Sequence, residues 1–288
     1  MTPGFPLFVA ATLVATCAAM DVAETQTPVF SARVDAVRVD VSVTERGQVV
    51  RGLQPRDFEL RDNGVLQQIE LVSFEQLPLN VLLALDLSQS VSGDQLRDLK
   101  AAGGALLDGL APADKAALLT FSHRLTLGSA LTSEVSLLRS ALDGLTSSGD
   151  TSLFDATFAA LLLGARDPGR DLLVVFSDGR DTASWLSADQ VLEAAKRLDV
   201  VAYGVTLRGA ASGPFLRRLA DETGGQALDI DSTRALQAHF VEVLEGFRRR
   251  YLVSYSPGGV ERGGWHRLEV KIKGRRATVR ARPGYVDR

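Results

Sequence analysis

The sequence predicts an α/β fold, a doubly wound and mostly parallel sheet set into a small β-sandwich that the two ends of the chain build together. Two patterns lead to it. Between about residues 80 and 250, apolar runs of strand length alternate with runs of helical spacing, as in a parallel sheet covered by helices on both faces. On either side, residues 29–79 and 251–288 alternate apolar and polar with period two. Neither flank has enough strands to bury a face alone, so the flanks are expected to pair around the inserted segment.

The chain opens with MTPGFPLFVAATLVATCAAMDVAETQTP, in which Phe5 to Ala19 is apolar and rich in small residues with no Lys or Arg ahead of it. This run is shorter than the roughly 20 apolar residues of a membrane span. It reads as a signal peptide over residues 1–19, with Cys17-Ala18-Ala19 as the cleavage site. Alternatively, Val14-Ala15-Thr16-Cys17 resembles a bacterial lipobox, with Cys17 as a lipid tether and Thr16 fitting the motif poorly. Cys17 is the only cysteine, so no disulfide is expected. The protein is expected to be exported and then periplasmic, secreted or envelope-tethered.

The first flank contains VRVDVSVTE, where Val37, Val39, Val41 and Val43 share one face of a strand. Asn63-Gly64 stands between two further runs as a hairpin turn, and no helix is expected before residue 80. From there NVLLALDLS, KAALLTFS, RDLLVVFSDG, VVAYGVTL and QALDI read as strands. SGDQLRDLKAAGGALLDGL, SEVSLLRSALDGL, TSLFDATFAALLLGA, SADQVLEAAKRL, GPFLRRLADETG and a last segment at 232–250 read as helices. In the second flank Leu268, Val270 and Ile272, then Ala277, Val279 and Ala281, alternate with polar residues.

A net charge of −3 gives no reason to expect a nucleic-acid partner. The charge is uneven, however, with twelve Lys and Arg against three Asp and Glu from Arg248 onward. Solvated strand faces are the expectation there, and contact with an anionic surface is the alternative.

The chemistry gathers at strand ends. The run LLALDLSQS ends its apolar stretch at Asp86 and continues with Ser88 and Ser90. Thr151 lies in a loop before a helix, and Asp178 follows the strand Leu172–Phe176. Sites of parallel α/β sheets lie beyond the carboxyl ends of the strands, so these residues are expected to converge. Two carboxylates and three hydroxyls form a hard-oxygen set suited to Mg²⁺, with Mn²⁺ or Ca²⁺ also accommodated. Helix capping by Ser88, Ser90 and Thr151 is the competing reading.

Enzyme signatures are missing. No G-x-S-x-G follows a strand, and Ser88 stands where a haloacid-dehalogenase-type phosphotransferase has its second aspartate. Lys115 lacks the context of a P-loop. VAYGVTLRGAASG is no dinucleotide fingerprint, and His123, His239 and His266 have no metal-ligand spacing. A metal-dependent hydrolase or phosphotransferase stays as an alternative, as does a structural subunit of an envelope assembly with a vestigial site.

DLSQS, Thr151 and the SDG of Asp178, in this order and on these elements, resemble the metal-ion-dependent adhesion site of von Willebrand factor A domains. The resemblance covers about residues 80–250 and implies a Rossmann-like domain. It also implies a divalent cation held by Asp86, Ser88, Ser90, Thr151 and Asp178, through which a protein partner's acidic side chain is bound without catalysis. Asp150 departs from the glycine common before the threonine and places a further charge near the ion. Asp155 and Asp181 are candidates for a supporting role, with capping as the alternative, which also applies to Asp94. VDVSVTERGQVVRGLQPRDFELRDNG and RRRYLVSYSP…VRARPGY resemble the flanks of acidobacterial-type exported proteins of this family. The helix at 232–250 runs into the second flank, so its movement is expected to couple cation occupancy to the β frame. The sequence sets no oligomeric state.

Overall fold

The computed structural model describes Met1 and residues 36–74, 77–164 and 169–287. Apart from Met1, the expected signal peptide and lipobox lie outside the described residues, as does the start of the first flank. The elements are β1 (Val37–Glu45), β2 (Gln48–Val49), β3 (Phe58–Asp62), β4 (Val65–Leu66), β5 (Ile69–Phe74), β6 (Leu79–Asp86), α1 (Asp94–Asp108) and β7 (Lys115–Phe121). They continue with β8 (Leu125–Thr132), α2 (Val135–Asp143), α3 (Leu153–Gly164), β9 (Arg170–Phe176), α4 (Ala188–Ala195), β10 (Val200–Leu207) and α5 (Gly213–Thr223). The last are β11 (Gln226–Ile230), α6 (Leu236–Arg248), β12 (Tyr251–Tyr255), β13 (Gly264–Ile272), β14 (Thr278–Arg280) and β15 (Gly284–Asp287).

The central sheet runs β11-β10-β9-β6-β7-β8. Its continuous apolar strands are buried on both sides, and alternate residues serve opposite layers. Leu79, Val81, Leu83 and Leu85 of β6 join the core under α1, α2 and α6, with Leu99, Leu106, Leu138, Phe240 and Phe247. Leu82 and Ala84 join the opposite core under α3, α4 and α5, with Ala156, Leu161, Val191, Leu216 and Leu219. Each fully buried Leu or Phe contributes about 1.5–3 kcal/mol relative to exposure, so β6 stabilises both layers. Local signals close the helices. Ser187 and Gln190 form a reciprocal capping box at the start of α4. Gly224 ends α5 at φ +74°, where a Cβ would lie 2.3 Å from the Arg282 nitrogen.

One strand escaped the sequence reading. β8 pairs antiparallel with β7 at the sheet edge, and its half-exposed LTLGSALT lacks the continuous apolar run that marked the others. The first flank also holds a short 3-10 turn at Pro55–Asp57 where no helix was expected.

The two flanks interleave as expected. One sheet runs β14-β1-β12-β5 with β2 beside β1, and the other runs β15-β13-β3-β4. Val43 opposes Val279, Val39 opposes Val253, and Leu268 opposes Asp62. Val39, Val41, Val43, Phe58, Leu60, Tyr251, Val253 and Leu268 fill the space between them. Asn63-Gly64 turns β3 into β4, but β4 is only two residues long, and the chain then crosses to β5 in the other sheet. His266 is buried in this frame, its Nδ1 2.8 Å from Asp62 Oδ1, while the Tyr255 and Tyr285 hydroxyls donate to Asp62 Oδ2 at 2.8 and 2.9 Å. Burial, reinforced by the hydrogen bonds to Asp62, pushes both phenols above their ordinary range.

The basic C-terminal stretch is not only a solvated face. Arg250 and Arg282 are buried, and Arg248 reaches the buried Asp114 at 2.8 Å. Arg250 and Arg282 are spent where the β frame meets the α/β layers. There Arg170 of β9 donates from Nε to Asp40 Oδ1 of β1 at 2.8 Å, and Arg170 and Arg250 both stand over the Phe247 ring.

Asp171, beside Arg170, has a cost that pH exposes. Burial pushes its carboxyl up to about 7, against the Asn80 amide and Arg38, with Asp199 and Asp40 adding to the rise. The unfolded chain ionises this group near 3.8. The contribution of Asp171 to stability is therefore fully present below about pH 4 and is lost as pH rises from there through 7, because in that window the native state holds a proton that the unfolded state has lost. Asp171→Asn keeps a side-chain oxygen for the Asn80 amide, which donates at 2.9 Å. It is expected to stabilise the protein at pH 8 by on the order of 2–4 kcal/mol and to flatten the profile. Urea unfolding at pH 5 and pH 8 measures both effects.

Candidate metal centre

The central sheet starts in its middle at β6, moves outward through β7 and β8, then returns to β9 on the other side of β6. Chain direction across the sheet therefore reverses beside β6, and loops diverge from the carboxyl ends of β6 and β9. Asp86 is the last residue of β6, and Asp178 lies two residues beyond β9.

Asp86 is fully buried and organises the floor of the cleft. Its Oδ1 accepts the Ser88 amide at 2.8 Å, and its Oδ2 accepts the Ser177 hydroxyl at 2.7 Å. Burial pushes this carboxyl up, opposed by the hydrogen bonds from Ser177 and Ser88, while the charge of Asp178 adds to the rise. The Ser88 and Ser90 hydroxyls lie 3.0 Å apart, and Ser90 Oγ donates to Asp178 Oδ1 at 2.8 Å. Gln95, with its amide turned to satisfy its neighbours, donates to the Ser90 carbonyl at 2.7 Å and to Asp178 Oδ2 at 3.3 Å.

Thr151 arrives on a loop held from three sides. The Gln89 amide donates to the Gly149 carbonyl at 3.0 Å, Ser148 N to Leu87 O at 2.8 Å, and Ser152 N to Ser122 O at 2.8 Å. Gly149 adopts φ +77°, and a Cβ there would lie 2.0 Å from the His123 ring, so the turn requires glycine. The Thr151 carbonyl accepts from Thr182 N and Ala183 N at 2.9 and 3.1 Å. Its hydroxyl lies against Gly179, where an added Cβ would stand 3.4 Å away. Thr151 is thereby brought beside the loop that carries Asp178.

All five expected ligands thus stand on one sheet edge. Asp86, Ser88 and Thr151 are buried, Asp178 is half-buried and Ser90 is exposed, which gives the cluster a closed floor and an open rim. Octahedral Mg²⁺ at 2.0–2.1 Å places adjacent oxygens about 2.9 Å apart. The separations of 3.0 Å between the serine hydroxyls and 2.8 Å from Ser90 to Asp178 match that edge. Among the described residues no group of three His, Cys, Asp or Glu could hold a metal, so hydroxyls have to complete any ligand set. The capping alternative does not hold for the serines, because α1 begins at Asp94 with Gly93 at its N-cap. Among the described residues no histidine hydrogen-bonds to Ser88, Ser90 or Thr151, and His123 lies 3.4 Å from the Ser122 hydroxyl instead.

The remaining candidates divide. Asp155 accepts the amides of Trp185 and Leu186 at 3.0 and 2.9 Å. Asp181 accepts the Phe154 amide at 2.9 Å and the Ser184 hydroxyl. Both carboxylates brace the loop between β9 and α4. Asp150 is exposed, and Asp94 pairs with Arg97 on the surface. Ser177 and Gln95 were missed by the sequence reading. Ser177 precedes Asp178 at the end of an apolar strand, a position that could have flagged it, whereas Gln95 gives no signal among ordinary first-turn residues.

An open α/β sheet with a hydroxyl–carboxylate cluster at its switch point defines the class. The model of the von Willebrand factor type A domain matches residues 80–242, more than half of the chain, and the chain belongs to that family. Domains of this family mediate protein–protein interaction or adhesion. Inter-alpha-trypsin inhibitor heavy chain H4 of Bos taurus is 24% identical over 261 residues, which cover 84% of this chain and 28% of that protein. The chain thus spans less than a third of that relative's length. A von Willebrand factor type A structure from Catenulispora acidiphila superposes with a TM-score of 0.55 at 13% identity, over 80% of this chain and 73% of its own. Proximal thread matrix protein 1 of the mussel byssus, described with a zinc-occupied MIDAS motif, superposes at 0.53 with 17% identity, over 65% and 49% of the two chains. These likenesses show the shared fold.

Proposed function

We propose that this chain is an exported interaction module that binds an acidic side chain of a protein partner through a divalent cation, Mg²⁺ in the first instance. The observation behind this reading is the convergence of Asp86, Ser88, Ser90, Thr151 and Asp178 from three loops, with oxygen spacings suited to a small hard cation. Asp86 and Asp178 balance the ion's charge, directly or through water. Ser88, Ser90 and Thr151 supply neutral oxygens, so the site keeps attraction to spare for an incoming carboxylate. When bound, the cation supplies a Lewis-acidic position facing the open rim. We assign residues 1–19 to a leader, 80–250 to the interaction domain, and 29–79 with 251–288 to the frame that presents it.

Titration calorimetry with Mg²⁺ and with Mn²⁺ tests the reading. The wild type is expected to bind one ion, and Asp178→Ala to lose that binding. A wild type that binds neither ion leaves the bridge without a mechanism. Turnover of phosphate or ester substrates that disappears in Asp86→Ala would instead favour the hydrolase alternative.

A further inference from the structure

Trp185 is exposed to 96% on the loop that packs against the metal-site threonine. An indole contributes nothing to a core from there, and single exposed apolar residues are ordinary on protein surfaces. Three features set this one apart. The loop has no regular structure yet is tied down along its length. The amides of Thr182 and Ala183 reach the Thr151 carbonyl, Ser184 is held by Asp181, and the amides of Trp185 and Leu186 are held by Asp155. Ser187 then caps α4. Second, the bracing carboxylates come from two elements, Asp155 from α3 and Asp181 from the loop itself, so the backbone that carries the indole is fixed in the loop that leads away from Asp178. Third, Arg180, between Asp178 and Trp185, is exposed, and among the described residues no hydrogen bond or ion pair engages its guanidinium. An acidic segment approaching this rim therefore meets a cationic side chain in addition to the metal position.

Tryptophan and arginine are among the residues most enriched at binding hot spots, and a loop whose backbone is already braced loses less entropy on docking than a free one. We propose that Trp185 is the specificity anchor of this face. A partner segment delivers an acidic side chain to the rim and lays an apolar or aromatic side chain, within a few residues of it, on the indole. The acidic half of this pairing rests on the metal-bridge reading, and the apolar half does not.

The test is a displayed library of linear peptides with a fixed central Asp, selected on the full chain in Mg²⁺ and in EDTA. Selections on wild type are expected to enrich apolar or aromatic residues at a set distance from the fixed Asp. Trp185→Ala is expected to weaken the selected peptides by about thirty-fold or more with an unchanged thermal midpoint, and Trp185→Phe to restore most of the affinity. Wild-type selections with no apolar bias, or selecting no peptide, overturn the proposal, as do selected peptides that bind Trp185→Ala within twofold. Capture that depends on Trp185 yet persists in EDTA supports the anchor and defeats the metal bridge, whereas EDTA-sensitive capture indifferent to Trp185 does the reverse. A lipid surface is the rival occupant. A blue shift of Trp185 emission on anionic phosphatidylglycerol vesicles, in a Trp265→Phe background and without peptide, would overturn the protein-partner assignment.

Discussion

Arg250→Ala is expected to lower the free energy of unfolding by about 3–5 kcal/mol, measured by urea denaturation. The side chain is completely buried between α6 and β12, and its guanidinium is held by neutral oxygens. Nη2 donates to the carbonyls of Gly224 at 2.6 Å, Asp40 at 3.0 Å and Arg280 at 3.2 Å, and Nη1 approaches the Tyr203 hydroxyl at 3.4 Å. Gly224 and Tyr203 belong to the α/β layers, whereas Asp40 and Arg280 lie on neighbouring strands of the frame. Alanine leaves these acceptors without their donor, each unpaired buried group costing about 1–3 kcal/mol, and opens a cavity the size of the lost side chain. Arg250→Lys keeps the charge but not the fork and should recover only part of the loss. A change below about 1 kcal/mol for Arg250→Ala would mean that the junction is held by other contacts. The same residue links α6 to the frame. Coupling along this route predicts that a carboxylate bound with Mg²⁺ alters hydrogen exchange in 236–255 of the wild type.

Asp86→Ala is expected to weaken Mg²⁺ binding by about two orders of magnitude or more, since loss of a residue that only supports a metal ligand already costs 10–100-fold. The readout with most leverage is thermal. A wild type at a hundred times its dissociation constant gains about 2.7 kcal/mol of stability from the ion, and its midpoint rises accordingly. Asp86→Ala should show no such rise. Asp178→Ala shares this loss, but the two variants separate when no metal is added. Asp86 receives the Ser88 amide and the Ser177 hydroxyl at the buried floor, so its removal leaves two donors unpaired. Asp178 is half-buried at the rim and receives Ser90, which solvent can replace. A metal-dependent midpoint retained in Asp86→Ala would remove that carboxylate from the ligand set.

Much of this arrangement was legible beforehand because it is written in local terms. The periods of 2.0 and 3.6 report which faces are buried, and β10 and β11 emerged within the apolar runs that announced them. The convergence of Asp86, Ser88, Ser90, Thr151 and Asp178 followed from strand ends and from the rule that parallel sheets place their loops on one edge. β8 was illegible because an edge strand needs no continuous apolar run, and its identity comes from hydrogen bonds to β7.

Charge partnerships were the least legible. The surplus of arginine from residue 248 onward looked like a solvated face, yet Arg248 closes on Asp114, 134 residues away in sequence, and His266 closes on Asp62 across 204. The chain by itself determined most of its strands and helices, β8 and the 3-10 turn at Pro55–Asp57 excepted, that its flanks had to find one another, and which oxygens could meet at the sheet edge. Burial pattern and backbone propensity act over a few residues, and one sequence displays them. Only the tertiary structure decided which cations are structural, which carboxylates brace a loop, and where an indole is left in water. The energy of a charge or an exposed ring depends on what folding brings within a few ångströms of it, and sequence distance carries almost none of that.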